Sequence, residues 1–141
     1  MKRAIAVDPG SSKCGLLLAD LSNGIVLDGK VVSKDNVKEV IIRWRDEENS
    51  ELIFLGNGTS CQYWHAVLSK ILPLQLVEER GTTLKARRRY WELWPPNIFL
   101  RLLPRGMVLP PTDLDAIAAL VLLEDYLNVK LIWPAKPDFK I

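Results

Sequence analysis

The amino-acid sequence predicts an α/β fold in which helices flank a mixed five-stranded sheet. β-prone runs and helical segments alternate along most of the chain, as in a sheet covered by helices. Short turns join the first three runs and helices separate the later ones, which predicts an antiparallel meander followed by parallel strands. Because 141 residues is a typical single-domain length, we expect one domain over residues 1–141, with an extended tail at 130–141.

Three β-prone runs make up the predicted meander, at Ala4–Val7, Cys14–Ala19 and Ile25–Val32. The turn before the third run contains Asn23-Gly24, a strong hairpin signal. The next segment, Asp35–Glu47, has apolar residues at relative positions 0, 3, 4 and 7. That spacing defines one face of an amphipathic helix, which we expect to pack on the sheet.

The second half of the chain predicts two further strands, three helices and a short strand in the tail. Pro95 and Pro96 stop the middle helix, and residues 95–111 are expected to form a mobile loop. The predicted strands are Leu52–Leu55, Pro73–Val77 and Leu131–Trp133; the predicted helices run from a Thr59 or Ser60 cap through Leu72, from Thr82 or Thr83 through Leu93, and from Thr112 through Leu127.

The composition excludes several classes of protein. With 48% hydrophobic and 26% charged residues, the chain is globular rather than disordered. Its longest strongly apolar run, Ala116–Leu123, is too short to span a bilayer, and Asp8 interrupts the N-terminal apolar stretch before it reaches signal-peptide length. We therefore expect a cytoplasmic protein with no membrane partner. Cys14 and Cys61 are too few for a disulfide framework or a zinc site, so we expect two free, buried thiols.

Basic residues are concentrated in one part of the chain, although the net charge is only +2. The range 80–105 holds seven basic side chains and one acidic one, a distribution that favours nucleic-acid binding. Helical spacing puts Lys85, Arg88 and Arg89 on one face and Arg87 elsewhere. That face either holds phosphates or is an ordinary solvated surface.

The single histidine and the aromatic residues beside the basic stretch have structural interpretations. Tyr90, Trp91 and Trp94 could stack on bases, but their large apolar area favours a core or oligomer contact. His65 has no second ligand in the sequence, so we expect a surface or packing role rather than catalysis.

Three acidic residues lie where predicted strands or helices begin or end, which is where open α/β sheets place their sites. Asp8 closes the first strand, Glu79 follows the strand Pro73–Val77, and Asp115 lies in the first turn of the last helix. If the first and fifth strands are neighbours, the carboxylates converge. Such oxygen ligands suit Mg²⁺ or Mn²⁺, and two such ions can activate water and stabilise the leaving oxygen in phosphodiester cleavage.

Each acidic residue also has a structural interpretation. Asp8-Pro9-Gly10-Ser11 fits a type II turn, with the glycine at the third position. Thr112 and Asp115 have the spacing of a capping box, and Asp113 is favoured at a helix start by the helix dipole. Glu79, like Glu78, could be a solvated loop residue.

Four segments in order along residues 4 to 127 resemble the YqgF-type ribonuclease H-like proteins. That family is related to the RuvC resolvases and is described as Holliday-junction resolvases and pre-16S rRNA processing nucleases. The first segment fits the pattern D-x-G-x-x-x-x-G, and the third is similar to E-R-x-S/T-T-x-x-A. The segments are residues 8–15 (DPGSSKCG), 55–58 (LGNG), 79–86 (ERGTTLKA) and 115–126 (DAIAALVLLEDY).

The resemblance implies a ribonuclease H-like nuclease domain in which Asp8, Glu79 and Asp115 are the catalytic carboxylates and hold Mg²⁺ or Mn²⁺. Glu78 stands where the family has an aspartate, so which glutamate points inward is left open, and Asp113 is a further candidate ligand. RNA or branched DNA is the expected partner. We assign nucleic-acid contacts to Lys13, Arg80, Lys85, Arg88 and Arg89.

Two functions are consistent with these residues: a metal-dependent nuclease on structured nucleic acid, and a non-catalytic nucleic-acid-binding or interaction module with the same fold. The first motif also resembles the phosphate loop of actin-like and sugar kinases, but those proteins need two such units and 141 residues hold one. The chain is expected to be a monomer or a homodimer, and a dimer would suit symmetric cleavage of a four-way junction.

Overall fold

Five strands form one mixed sheet in the computed structural model, which describes residues 2–104 and 108–134. The strands are β1 (Arg3–Asp8), β2 (Lys13–Asp20), β3 (Ile25–Ser33), β4 (Ser50–Gly56) and β5 (Leu74–Val77). Their order is β3-β2-β1-β4-β5. The β1–β2 and β2–β3 pairs are antiparallel, and the β1–β4 and β4–β5 pairs are parallel. The predicted α/β class and its mixed five-stranded sheet are confirmed.

The helices lie between and after the parallel strands. They are α1 (Val37–Glu47), α2 (Cys61–Leu68), α3 (Thr82–Leu93) and α4 (Asp115–Leu127), with short 3-10 helices at Lys34–Asn36 and Leu100–Leu102. None of the helices in the described ranges is long and apolar enough to cross a membrane.

Side chains of β1 alternate between two cores, one on each face of the sheet. Ile5 and Val7 face the layer of α1 and α2, where α1 buries its predicted apolar face. Ala4 and Ala6 face α4, and α3 packs on α4 in turn. Because these alanines are small, α4 lies close against the sheet.

The last helix begins three residues later than predicted, at Asp115 instead of Thr112. The predicted capping box is not formed, since no side chain caps the helix at its first position. Instead, Oδ1 of Asp113 accepts a hydrogen bond from the backbone N–H of Asp115 at 3.1 Å. An Asx-type turn therefore leads into α4, and it competes locally with helix formation.

Other boundaries also differ from the sequence prediction. Ser60 is the N-cap residue of α2, as one of the two predicted alternatives, but its side chain makes no capping hydrogen bond, and the helix ends at Leu68 rather than Leu72. The predicted strand at Leu131–Trp133 is reduced to a single bridge between Ile25 and Ile132. The predicted mobile loop contains the 3-10 helix Leu100–Leu102, while 105–107 and most of the expected tail, 135–141, lie outside the described residues.

Candidate carboxylate site

Asp8 ends β1 and is followed by a tight loop that packs on α2. This loop is not the predicted type II turn, because Gly10 lacks the positive φ which that turn requires. Position 10 requires glycine because its backbone lies very close to that of Lys13. A Cβ at this position would overlap the backbone carbonyl oxygen of Lys13. The buried Trp64 donates from its indole N–H to the Gly10 carbonyl at 2.9 Å. That hydrogen bond fixes the loop beside Asp8.

Glu79 reaches Asp8 even though β5 and β1 are not neighbours, which corrects the arrangement considered from sequence. β4 lies between them. Gly56, at the end of β4, and Gly58, just after it, have no side chains, so the Glu79 side chain can extend across the end of β4 toward Asp8. A Cβ at Gly56 would lie 3.5 Å from Cδ of Glu79, and a Cβ at Gly58 would overlap its Oε2. The carboxyl groups of Asp8 and Glu79 are hydrogen-bonded.

Asn57, between those two glycines, holds the backbone of Glu79 in place. Its Oδ1 accepts a hydrogen bond from the Glu79 N–H at 2.9 Å, and its own N–H donates to the Val77 carbonyl at 2.9 Å. Sequence analysis did not identify Asn57 as a site residue, although its place in a glycine pair after a buried strand was a usable signal. The neighbouring Glu78 turns outward and pairs with Arg80 at 2.9 Å, so Glu79 is the inward glutamate.

Asp115 approaches the same region because α4 begins directly on β2. Gly15 makes this approach possible, since a Cβ there would overlap the carbonyl oxygen of Asp115 and lie 2.7 Å from the N of Ala116. Gly15 is also the antiparallel partner of Asp8 in the sheet. The start of α4 therefore lies beside the end of β1.

Burial and negative charge act together on Asp8. Burial, the hydrogen bond that the protonated Asp8 carboxyl donates to Glu79, and the charges of Glu79, Asp115 and Asp113 raise the pKa of Asp8 to about 8. Burial and the charge of Asp113 also raise the pKa of Asp115, against the opposing charge of Lys13. The site therefore concentrates more negative charge than its own cations neutralise.

Lys13 supplies the cation nearest to α4. Its ammonium group hydrogen-bonds Oδ2 of Asp113 and lies 3.9 Å from Oδ2 of Asp115. Burial opposes ionisation of Asp113, but the hydrogen bond and charge of Lys13 outweigh it and lower the pKa of that carboxyl. Lys13 was predicted to contact nucleic acid; the structure directs its ammonium group to these two acids.

The acidic residues provide the oxygen donors that Mg²⁺ and Mn²⁺ prefer. Asp8 and Glu79 are in contact, and a divalent ion would relieve the uncompensated charge that raises the pKa of Asp8. In the described part of the chain, however, no group of three or more Asp, Glu, His or Cys side chains is already gathered as a metal site. The donor chemistry fits a divalent ion, with Asp8 and Glu79 as its preformed pair.

Arg89 and Lys85, two of the predicted phosphate-binding residues, form ion pairs with acidic residues of α4. Arg89 forms a two-pronged ion pair with the buried Glu124, at 2.9 Å for each contact, and also donates to the Leu131 carbonyl at 3.0 Å. Its side chain is only 11% exposed, so it presents little surface to a phosphate. Lys85 pairs with Asp125 at 2.9 Å but is 43% exposed, and Arg88 is exposed.

The aromatic residues beside the basic stretch lie in or against the core, whereas only one of the two cysteines expected to be buried is fully so. Tyr90 is fully buried in the core, where its ring contacts Trp91 and Trp94 edge-on. Cys14 and Cys61 are free, and Cys14 is buried whereas Cys61 is only partly so. His65 lies on the exposed surface of α2.

The strand order, strand directions and flanking helices define a protein with a ribonuclease H-like fold, and the carboxyl groups of Asp8 and Glu79 are in contact at one end of its sheet. No protein-family model matches the chain, and no curated protein matches it in sequence.

The solved structures that are similar to the chain include three at low identity. A Thermus thermophilus RuvC structure is 15% identical, with 92% of this chain and 99% of that chain covered and a TM-score of 0.47. T. thermophilus RuvC in complex with a Holliday junction substrate is 14% identical, with 94% and 100% covered and a TM-score of 0.46. A hexokinase of the ROK type from T. thermophilus is 19% identical, with 64% and 37% covered and a TM-score of 0.41. The fold assignment therefore rests on the strand order.

Proposed function

We propose that this protein is a divalent-metal-dependent endonuclease that hydrolyses phosphodiester bonds in structured nucleic acid, as the resemblance to YqgF-type proteins implies. The observation that carries the proposal is the contact between the carboxyl groups of Asp8 and Glu79, with Asp115 close enough to raise the pKa of Asp8. Glu79 and Asp115, both far from Asp8 in sequence, thus act on Asp8 at one end of the sheet. An acidic cluster of this kind is costly to fold unless a cation compensates it.

Asp8, Glu79 and Asp115 would hold Mg²⁺ or Mn²⁺. The bound ion would activate a water molecule and stabilise the departing oxygen of the phosphodiester. The chain's own residues position these ligands: Trp64 fixes the loop after Asp8, Asn57 holds the backbone of Glu79, and Gly15 lets α4 bring Asp115 to the sheet. Precise placement of the ligands is what such a site needs for catalysis.

A surface cavity of about 470 Å³, lined by the chain neighbours of Glu79 but not by Glu79 itself, supports a path for a nucleic-acid strand. Its lining contains three cations, Arg80, Lys85 and Lys130, together with three acids, Glu78, Glu124 and Asp125. Arg88 lies near, in an adjoining cavity that shares Lys85 and Lys130. The exposed cations of the two cavities support binding of backbone phosphates along this surface, with an affinity that falls as salt rises.

The substrate is either precursor rRNA or a branched DNA such as a four-way junction. Symmetric cleavage of a junction needs two active sites, so a homodimer in solution would favour the junction and a monomer would favour RNA processing. The experiment compares cleavage of both substrates with Mg²⁺ or Mn²⁺ by the wild type, by Asp8→Asn and by Asp46→Asn. Asp46 is an exposed acid on α1 that pairs with Arg45, so it serves as the matched control.

We expect the wild type and Asp46→Asn to cleave at least one substrate and Asp8→Asn to be inactive. An inactive wild type on both substrates with either ion would contradict the nuclease proposal. It would favour the second candidate, a non-catalytic nucleic-acid-binding module. That candidate is supported by the absence, within the described residues, of a preassembled three-ligand group. It predicts salt-dependent binding that Asp8→Asn leaves intact and no metal binding in calorimetry.

A further inference from the structure

Lys13 is paired with both acids at the start of α4. Its ammonium group hydrogen-bonds Asp113 and lies 3.9 Å from Asp115, while the side chain remains 40% exposed. Among the ion pairs of the described residues, those of Asp113 and Asp115 both go to Lys13. The carboxylate site thus already contains one positive charge of the chain's own.

The backbone determines this position of Lys13. Lys13 and Gly15 are two residues apart in β2, so they lie on the same face of the sheet. At Gly15 that face is in direct contact with the backbone of Asp115. The Lys13 side chain therefore extends from the sheet beside the turn that precedes α4, where its ammonium group contacts Asp113 and Asp115.

We propose that Lys13 is a built-in counter-cation of the carboxylate site, which holds the start of α4 without metal and competes with a divalent ion for Asp115 and Asp113. This inference rests on the proposed metal-binding function. A carboxylate oxygen that accepts the ammonium hydrogen bond is less available to a metal, and the positive charge repels an approaching divalent ion. Lys13 is thus a residue that sets the metal affinity without being a ligand.

The competition also accounts for the incomplete gathering of ligands. Asp8 and Glu79 are in contact with each other, whereas Asp115 is shared with Lys13 and Asp113. Asp115 would hold either a divalent ion, together with Asp8, or the ammonium group of Lys13. Metal binding and the Lys13 ion pairs are therefore alternatives at one carboxylate.

The test measures Mn²⁺ binding by calorimetry, without nucleic acid, for the wild type, Lys13→Met, Lys13→Gln and Lys13→Arg. Lys13→Gln keeps a hydrogen-bond donor but removes the charge, and Lys13→Arg keeps the charge. We expect both uncharged variants to bind Mn²⁺ about ten-fold more tightly than the wild type, and Lys13→Arg to remain within about two-fold of it. We also expect both uncharged variants to melt at a lower temperature without metal and to regain the difference at saturating Mn²⁺.

Wild-type or weaker Mn²⁺ affinity in both uncharged variants would overturn the role of Lys13 alone, because the metal site itself would still be present. Absence of Mn²⁺ binding in all four proteins would overturn the metal-binding site and this inference with it. If Lys13→Met fails to fold, the Lys13→Gln measurement decides, since that side chain can still hydrogen-bond Asp113.

Discussion

Asp8 and Glu79 share a hydrogen bond across the end of a strand that separates their own two strands. The contact depends on Gly58, because a Cβ at that position would occupy the place of Glu79 Oε2. Glu79 Oε2 is the far end of a flexible side chain. An added methyl group at position 58 would therefore displace the Glu79 carboxylate and leave the backbone in place.

Gly58→Ala is therefore expected to weaken metal binding with little change in the stability of the fold. Glu79 must rotate away, so we expect Mn²⁺ affinity to fall at least ten-fold while the free energy of unfolding without metal changes by less than about 1 kcal/mol. Calorimetry and urea denaturation measure the two quantities. Thr59→Ala, at the exposed adjacent position, is the control. An unchanged Mn²⁺ affinity in Gly58→Ala would show that Glu79 is not a ligand.

Asp8→Asn is expected to stabilise the metal-free protein at pH 8. The pKa of Asp8 is about 8 in the folded state against an ordinary value of 3.8. Between those values the folded state keeps a proton that the unfolded state has lost, so this group's contribution to stability falls as pH rises. Because Asp8 is partly exposed, we expect a gain of roughly 1–3 kcal/mol for the variant.

Urea denaturation in a chelating buffer from pH 4 to pH 9 measures this effect. The difference in unfolding free energy between the variant and the wild type should grow from pH 4 to pH 8 and then level off. A difference that is independent of pH would mean that Asp8 is not the group that titrates.

Gly15→Ala is expected to destabilise the fold as a whole. Here the added Cβ would overlap backbone atoms of Asp115 and Ala116, which no side-chain rotation can relieve. We expect a loss of about 2–4 kcal/mol, because α4 must move off the sheet that it covers. Chemical denaturation measures the loss, with the exposed Ser12→Ala as control. A loss below about 0.5 kcal/mol would show that α4 can shift freely on β2.

Arg89→Ala is expected to cost about 3–5 kcal/mol of unfolding free energy, because it leaves the carboxylate of Glu124 buried without its partner. Urea denaturation of this variant beside Arg88→Ala makes the comparison direct, since Arg88 is the exposed neighbour on the same helix. Equal stability of the two variants would contradict a structural role for Arg89.

Arg88→Ala is expected to weaken nucleic-acid binding while the fold stays intact. Loss of one phosphate contact should reduce the slope of log affinity against log salt concentration by about 1. Fluorescence anisotropy with a labelled branched DNA or structured RNA over a salt series measures the slope. If the slope is that of the wild type, Arg88 lies outside the nucleic-acid interface.

Elements with a clear periodicity were predictable from the sequence. The meander follows from β-prone runs and short turns, and α1 follows from the spacing of Val37, Val40, Ile41 and Trp44, all of which are buried. The start of α4 was harder, because Asp113 offers the Asp115 N–H a local turn that competes with a helix beginning at Thr112. Local pattern alone does not decide between the two.

Long-range contacts of the site were not predictable in the same way. Helical spacing placed Arg89 with Lys85 and Arg88 on one face, but it could not show that Glu124, 35 residues later, would bury its guanidinium. The partnership of Lys13 with Asp113 spans 100 residues and depends on how α4 meets β2. Both contacts follow from packing between elements, which sequence spacing within one element does not describe.

The Arg89–Glu124 pair also fixes one side of α4 toward α3. Residues Ala116–Leu123 are all buried, so the helix has no polar stripe that would tell one orientation about its axis from another. Glu124 breaks this symmetry: turning the helix by one residue would place its carboxylate in hydrocarbon and separate it from Arg89. Asp115 lies nine residues earlier on the same helix, about 13 Å away, so α4 is held at one end by this ion pair and at the other by its contact with Gly15.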